Sequence, residues 1–447
     1  VGREDREVTV IGDVYGLPLT TTDASADSYN RGVGALLRVQ EGGLPGVSAS
    51  VAHDPTFALG HAAMALLGYE YCAPVDIDAR LRAAIRHVDR GTDRERSHVH
   101  AIASHVQGNS RPMISHLHDY PLDALLLSVA VPTIAFAGVT TVPQESWAIV
   151  ERARPAYGDD WWSGGLLAFV RQEQRRWDEA MELSAASLEV EPAAGHSVHA
   201  RTHVHYETGD HRAGRDWIDG WINGPGRAAD NLAHYSWHAA LHELSLGDFD
   251  AVQRRYAREL APPIVVGCRA LVDSCSLLWR WAITPGCVDV PAMESCAASV
   301  EDDLLDAPPT PFMAMHSAVT LCALGESDRL SRLERWAARH ADSTYGDVVS
   351  PLCAALRALA DDDPGTASDR LAELTDQVWR LGGSDAQREI VEDTLIAALL
   401  AAGRLDEARP VIDSRLDRRA STRDVAFRRQ ANDPSAQGVT RERCSSP

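Results

Sequence analysis

Apolar residues recur along most of the chain at three- and four-residue intervals, in long windows rich in Ala, Leu, Arg and Glu. That is the spacing of one face of an α-helix. Alternating β-branched runs are short, at residues 8–11 and 131–135. Pro and Gly break the periodic windows at Pro155, Pro192, Gly224-Pro225-Gly226, Pro262-Pro263, Pro285-Gly286, Pro308-Pro309, Pro364-Gly365 and Gly382-Gly383. Each interval has room for one or two helices, so the pattern predicts an all-α fold of stacked helical hairpins.

Internal repeats sharpen this. In R-R-W-D-E-A-M-E-L-S-A-A-S-L-E-V-E-P, Trp177 is followed by Ala180 and then by Pro192. These are the intervals of the second helix of a tetratricopeptide unit of about 34 residues, in which a small residue lets paired helices approach. G-D-H-R-A-G places His211 34 residues after Trp177, and G-D-F-D-A-V and G-R-L-D-E-A (Gly403 to Ala408) repeat the same opening turn. The copies are degenerate and unevenly spaced. The expectation is therefore a divergent array of tetratricopeptide-like hairpins, wound into one right-handed superhelix over residues 20–415. An N-terminal extension (1–19) precedes it. A polar tail (416–447), which lacks apolar periodicity, reads as disordered.

The charge balance narrows the function classes. Against 43 Lys and Arg stand 64 Asp and Glu, a net charge of −21, so neither nucleic acid nor an anionic membrane is an expected partner. No apolar run approaches the roughly 18 residues of a membrane span. The first residues, V-G-R-E-D-R-E-V, carry no apolar signal segment, and a cytoplasmic location is expected. The eight cysteines form no C-x-x-C and sit mostly in apolar helical patterns, as small buried hydrophobes do in a reducing compartment. The Trp pairs Trp161-Trp162 and Trp217 with Trp221 read as packing between repeats.

Histidine is the unusual component. The stretch from Val198 to Phe249 reads as two helices, one carrying His199 and His203, the other His234, His238 and His242, all four apart. Side chains four apart stack on one helix face. Two neighbouring helices can therefore present facing imidazole columns.

Several stretches, in order, resemble the tetratricopeptide repeat protein 38 family over roughly residues 15–410. They are A-H-D-P-T-F-A-L-G-H (52–61), R-E-R-S-H-V-H-A-I (94–102), Y-P-L-D-A-L-L-L (120–127), G-L-L-A-F-V-R-Q-E (165–173) and L-V-D-S-C-S-L-L-W-R (271–280). His199, His203, Val204, His234, Trp237 and His238 match the family's histidine helices, and Phe312 with His316 matches an F-x-x-x-H that opens another. The chain departs from the pattern at Tyr235, Ser236, Tyr206 (with Glu207 one place along) and Ala314, and a shortened segment around Gly108 to Pro121 includes Pro112. If the family's acidic residues at these places are partners of its histidines, the resemblance implies that this chain orients its histidines differently.

Two function classes follow. In the first, a concave wall holds a histidine-lined pocket for a small molecule, with or without a metal. His203, His234, His238, Asp273 and His316 are candidate acid/base residues, and His199, Trp237, Arg280 and His242 candidate ligand-binding residues. A transition metal is a candidate cofactor, with His199, His203, His234 and His238 as candidate ligands. The competing reading of the columns is a polar seam of mutually bonded histidines, and of Asp273 a helix cap or a partner for Arg280. In the second class the protein is a non-catalytic adaptor that binds an extended peptide or partner protein in its groove. His98 matches the family pattern; His100, His105, His116 and His118 read as surface residues. His53 and His61 flank a D-P-x-F turn, with His61 the one to point inward. No phosphate loop, dinucleotide fingerprint or nucleophile elbow is present. Oligomeric state and ligand identity are not encoded in these patterns.

Overall fold

The computed structural model describes residues 11–131, 133, 138–140 and 142–432. Among them the fold is all-α, and the extended pairings are two isolated bridges, Gly12 with Pro18 and Gln40 with Ala229. The runs at 8–11 and 131–135 lie largely outside the described residues. No helix of the described residues is long and apolar enough to cross a membrane.

The chain forms two compact units where the repeats predicted one continuous array. One is built from residues up to Val198 with Ala228–Asp230, the other from His199–Arg227 and from Asn231 onward. The division agrees with the limit of about 250–300 residues beyond which a single core stops growing. It falls inside the helix Gly195–Glu207, so every candidate histidine of the two columns belongs to the second unit.

Within the first unit, helices pair as Asp23–Arg38 with Gly43–His53, Ala58–Tyr71 with Ile77–His87, Asp93–Val106 with Arg111–Asp119, and Trp161–Glu173 with Trp177–Val190. In the first pair a Cβ on Gly32 would lie 2.7 Å from the Val47 nitrogen, so only glycine permits that approach. Ala180 is fully buried in the last pair, the role its spacing predicted. Pro112 causes no break: it stands in the first turn of Arg111–Asp119, where its missing N–H has no partner to lose.

The second unit continues with His211–Ile222 and Leu232–Leu246, Pro311–Ala323 with Ser327–Ala337, Ser350–Ala360 with Pro364–Leu374, and Asp385–Ala401 with Leu405–Arg418. Leu232–Leu246, Pro311–Ala323 and Asp385–Ala401 are buried almost all round, whereas Ser327–Ala337 and Leu405–Arg418 bury a single stripe. A π-helical turn, Ala270–Cys275, leads into Ser276–Ala282. Such turns insert one residue and re-aim a side chain, here Asp273.

The tail expected to be disordered from residue 416 is instead ordered as far as it is described. Leu405–Arg418 runs into it, and Ser421 caps a further helix, Thr422–Gln430, with Arg423, Asp424 and Phe427 buried. Apolar periodicity missed this helix because ion pairs hold it. Arg423 bonds Asp393 at 2.8 Å, and Arg415 reaches Asp424 at 3.0 Å. Residues 433–447 lie outside the described residues.

Candidate functional site

The two histidine columns face each other as the four-residue spacing predicts. His199 Nε2 lies 2.9 Å from His238 Nε2, 3.0 Å from His203 Nε2 and 3.1 Å from His234 Nε2. The ligand atoms of His199, His234 and His238 are all within 4.8 Å of one another. All four residues are buried, with relative exposures of 0–1%. They form the inside of a helix seam and not an open concave wall.

Hydrogen bonding alone does not account for this packing. An imidazole nitrogen carries either one N–H or one in-plane lone pair. His199 Nε2 can make one good bond to its three neighbours. The other two contacts must share that same proton or lone pair, or set like against like, at about 3 Å in a buried seam. Around a metal the same spacing is favourable. With metal–nitrogen bonds of about 2.0–2.1 Å, neighbouring imidazole nitrogens sit about 2.9–3.4 Å apart.

Two further features prepare the nitrogens as lone-pair donors. His234 Nδ1 donates to Asp273 Oδ1 at 2.9 Å, which leaves the Nε2 lone pair pointing into the cluster. This carboxylate–imidazole arrangement is how metal-binding histidines are oriented. Burial, reinforced by the neighbouring histidines, drives the His238 pKa well below the usual imidazole range. Burial first, then His234 and Arg388, push His203 down to about 3. Both rings are neutral at pH 7, the form a metal needs.

The remaining predicted residues take different places. Trp237 stacks on His234, with centroids 5.5 Å apart and an interplanar angle of 12°. Arg280 lies 5.8 Å from the Trp237 ring, but its Nη2 donates to the carbonyls of Ala386 and Gln387 at 2.6 and 3.0 Å. Asp273 is neither a helix cap nor chiefly a partner for Arg280; besides His234 it has Arg269 at 3.7 Å. His316 is buried beside Phe312 and bonds no described residue through either ring nitrogen. Burial lowers its pKa to about 3, with Arg280 acting in the same direction and Asp273 against it. His242 stands apart from the cluster: its Nδ1 pairs with His211 Nδ1 at 3.1 Å, a partner the sequence reading passed over. Glu207 and Glu243, the carboxylates next to these histidines in sequence, pair instead with Arg419 and Arg255.

The first unit holds a second cluster that sequence reasoning missed. Asp123 Oδ2 accepts from Arg94 Nη2 at 2.7 Å, His98 Nδ1 at 2.8 Å and His116 Nε2 at 3.0 Å. Ser97 Oγ meets His116 Nδ1 at 2.8 Å. His105 and His116, expected on the surface, are buried; His118 is exposed. His105 bonds Glu70 and Ser110. A signal was available, because Arg94, His98 and Asp123 all fall in the stretches that carry the family resemblance. His61 does point inward, bonding the Pro55 carbonyl at 3.0 Å.

The fold and site define a class: an all-α protein of stacked helical hairpins with a buried imidazole cluster in its second unit. No family model matches the chain. Among solved structures, yeast Tom70 is similar over 94% of this chain and 89% of its own, at 12% identity and a TM-score of 0.33. The TPR domain of P58(IPK) is similar over 85% of this chain and 89% of its own, at 12% identity and a TM-score of 0.21. Scores this low leave the fold assignment resting on the helix pairs themselves.

Proposed function

We propose that the protein binds one transition-metal ion through His199, His234 and His238 and presents it to a small molecule. The observation that carries this is the convergence of three imidazole nitrogens on His199 Nε2, which one proton or lone pair serves poorly and a shared cation serves well. An all-nitrogen donor set suits zinc, iron, nickel or copper, and does not suit magnesium or calcium. Three imidazoles leave a coordination position open, as catalytic metal sites do. A metal held there supplies a Lewis acid for an oxygen or nitrogen donor of the small molecule.

The protein's own residues do the rest. Asp273 holds the His234 tautomer, and Trp237 fixes the plane of that ring. His203, tied to the set through His199, is the imidazole placed to complete the shell or to exchange a proton with a bound molecule. His316, with no described partner, is the second proton-transfer group on the Asp273 side. Arg280 braces the wall beside Trp237, where its charge favours an anionic ligand group.

Elemental analysis of the purified full-length protein tests this. About one transition-metal ion per chain is expected, and His199→Ala with His238→Ala should lose it while the helical circular dichroism stays unchanged. A wild-type protein that is metal-free and takes up none on titration contradicts the proposal. It would return weight to an adaptor groove.

A further inference from the structure

Four imidazoles with exposures of 0–1% cannot meet a metal or a small molecule unless an element moves. One segment of the second unit lies across the ends of the helices that carry them. Arg419 reaches Glu207 at 3.1 Å and the Tyr206 hydroxyl at 3.4 Å, bonds Glu389, and stacks its guanidinium 4.3 Å from the Tyr206 ring. Tyr206 and Glu207 end the helix of His199 and His203. Ala420 passes Gly209 so closely that a Cβ there would lie 2.6 Å from its nitrogen. Thr422 covers Gly247, the cap of the His234–His238 helix. Arg423 then bonds Thr284 Oγ1 and Asp393 at 2.8 Å and the Arg280 carbonyl at 3.3 Å, at the end of the helix that follows Asp273. One short stretch of chain thus ties down every helix that supplies the cluster.

Its mode of attachment suits release. The helix Thr422–Gln430 (T-R-D-V-A-F-R-R-Q) has no apolar stripe, and Phe427 is its one large buried apolar side chain. Arg419 and Ser421, which lead into it, are extended, with φ of −158° and −152°. With Ala420 between them they form a three-residue joint after the preceding helix. Buried ion pairs gain little net free energy over their hydrated forms, because desolvation offsets the attraction. A segment held by them opens more readily than one held by an apolar face of the same size.

We propose that residues 419–427 are a strap that gates the histidine cluster, and that lifting it admits the metal and its ligand. The gating is read from the burial of the rings together with the segment's hold on the ends of the helices that carry them. Only the identity of what enters rests on the metal reading.

Exchange of the imidazole C2 hydrogen, followed residue by residue by mass spectrometry on the full chain, separates the two. In the wild type His199, His203, His234 and His238 should exchange slowly beside exposed His118. In Arg419→Ala with Arg423→Ala they should exchange at least about tenfold faster, with His98 and His116 unchanged. Arg423→Lys keeps the charge and should give intermediate rates, and it decides the matter if the double variant unfolds and His98 and His116 accelerate too. The strap is overturned if the four histidines already exchange like His118 in the wild type, or stay equally slow in Arg423→Lys and in a folded double variant. Release of bound metal to a chelator should accelerate in parallel. A protein that binds no metal but shows the exchange pattern keeps the strap and loses the metal site.

Discussion

Two buried histidine clusters, one in each unit, solve the same problem in opposite ways. Around Asp123 a carboxylate answers the nitrogens: one oxygen accepts from Arg94, His98 and His116, and Ser97 takes the far nitrogen of His116, while His98 Nε2 and Arg94 Nε and Nη1 bond no described residue. The Arg94 guanidinium also places a fixed positive charge 2.7 Å from that carboxylate oxygen. Around His199 there is no carboxylate among the converging atoms and no fixed charge, only nitrogens facing nitrogens. Proximity of histidines is common to both. What separates them is what the nitrogens face, a carboxylate in the first unit and other nitrogens in the second.

Acid should strike hardest, and it should strike the buried rings that are held neutral. Burial depresses the pKa of His316 to about 3 and, with Arg419 adding to it, that of His211 to about 4. Their folded values lie below the unfolded imidazole value near 6.5, so above that pH both states are neutral and nothing is lost. Below it the unfolded chain takes up protons that the folded chain refuses. Stability should fall by about 1.4 kcal/mol per pH unit for each ring, until the folded values near 3 and 4 are reached. Urea unfolding at pH 7.5 and 5.0 should show a loss of about 2 kcal/mol per ring. A midpoint unchanged over that interval would contradict the buried neutral state.

Asp123→Asn should come next. It removes the negative charge that Arg94, His98 and His116 share, leaving Asp13 at 3.2 Å as the ion-pair partner of Arg94 and a neutral amide against the two histidines. Breaking a buried pair in this way costs about 3–5 kcal/mol. Chemical denaturation should register that loss, while metal content stays at the wild-type level. A simultaneous loss of metal would mean that the two clusters are not functionally separate.

Asp273→Asn should have the smallest effect on folding and a selective one on the site. The amide no longer fixes the His234 tautomer, and loss of such an outer carboxylate weakens metal binding by about 10–100-fold. Competition with a chelating dye measures this, and an unchanged affinity would remove Asp273 from the site.

The contrast also marks what the chain's pattern could reveal. His199 with His203, and His234 with His238, lie four apart on helices, so their facing columns were legible before any coordinates. So were the hairpin breaks and the role of Ala180. The Asp123 knot was legible only in part: Arg94 and His98 stand four apart on one helix, but His116 and Asp123 come from a second helix and a turn, and no periodicity links them to that pair. His116 read as a surface residue because its neighbours are polar; its burial comes from a partner 7 residues away that satisfies it. The 422–430 helix escaped for the same reason. Its buried residues include Arg423 and Asp424, and hydrophobic patterning cannot register a segment that is buried through its charges. Local apolar spacing fixes helices, whereas polar burial depends on partners that only the fold brings together.

Titrating the metal-free, full-length protein with cobalt(II) and recording its visible spectrum tests the central claim most directly. Intense d–d bands of a low-coordinate, nitrogen-ligated cobalt, saturating at about one ion per chain and absent from His199→Ala, are the result this account predicts. Cobalt that keeps the weak spectrum of the hydrated ion throughout, in a protein that remains folded, would contradict it.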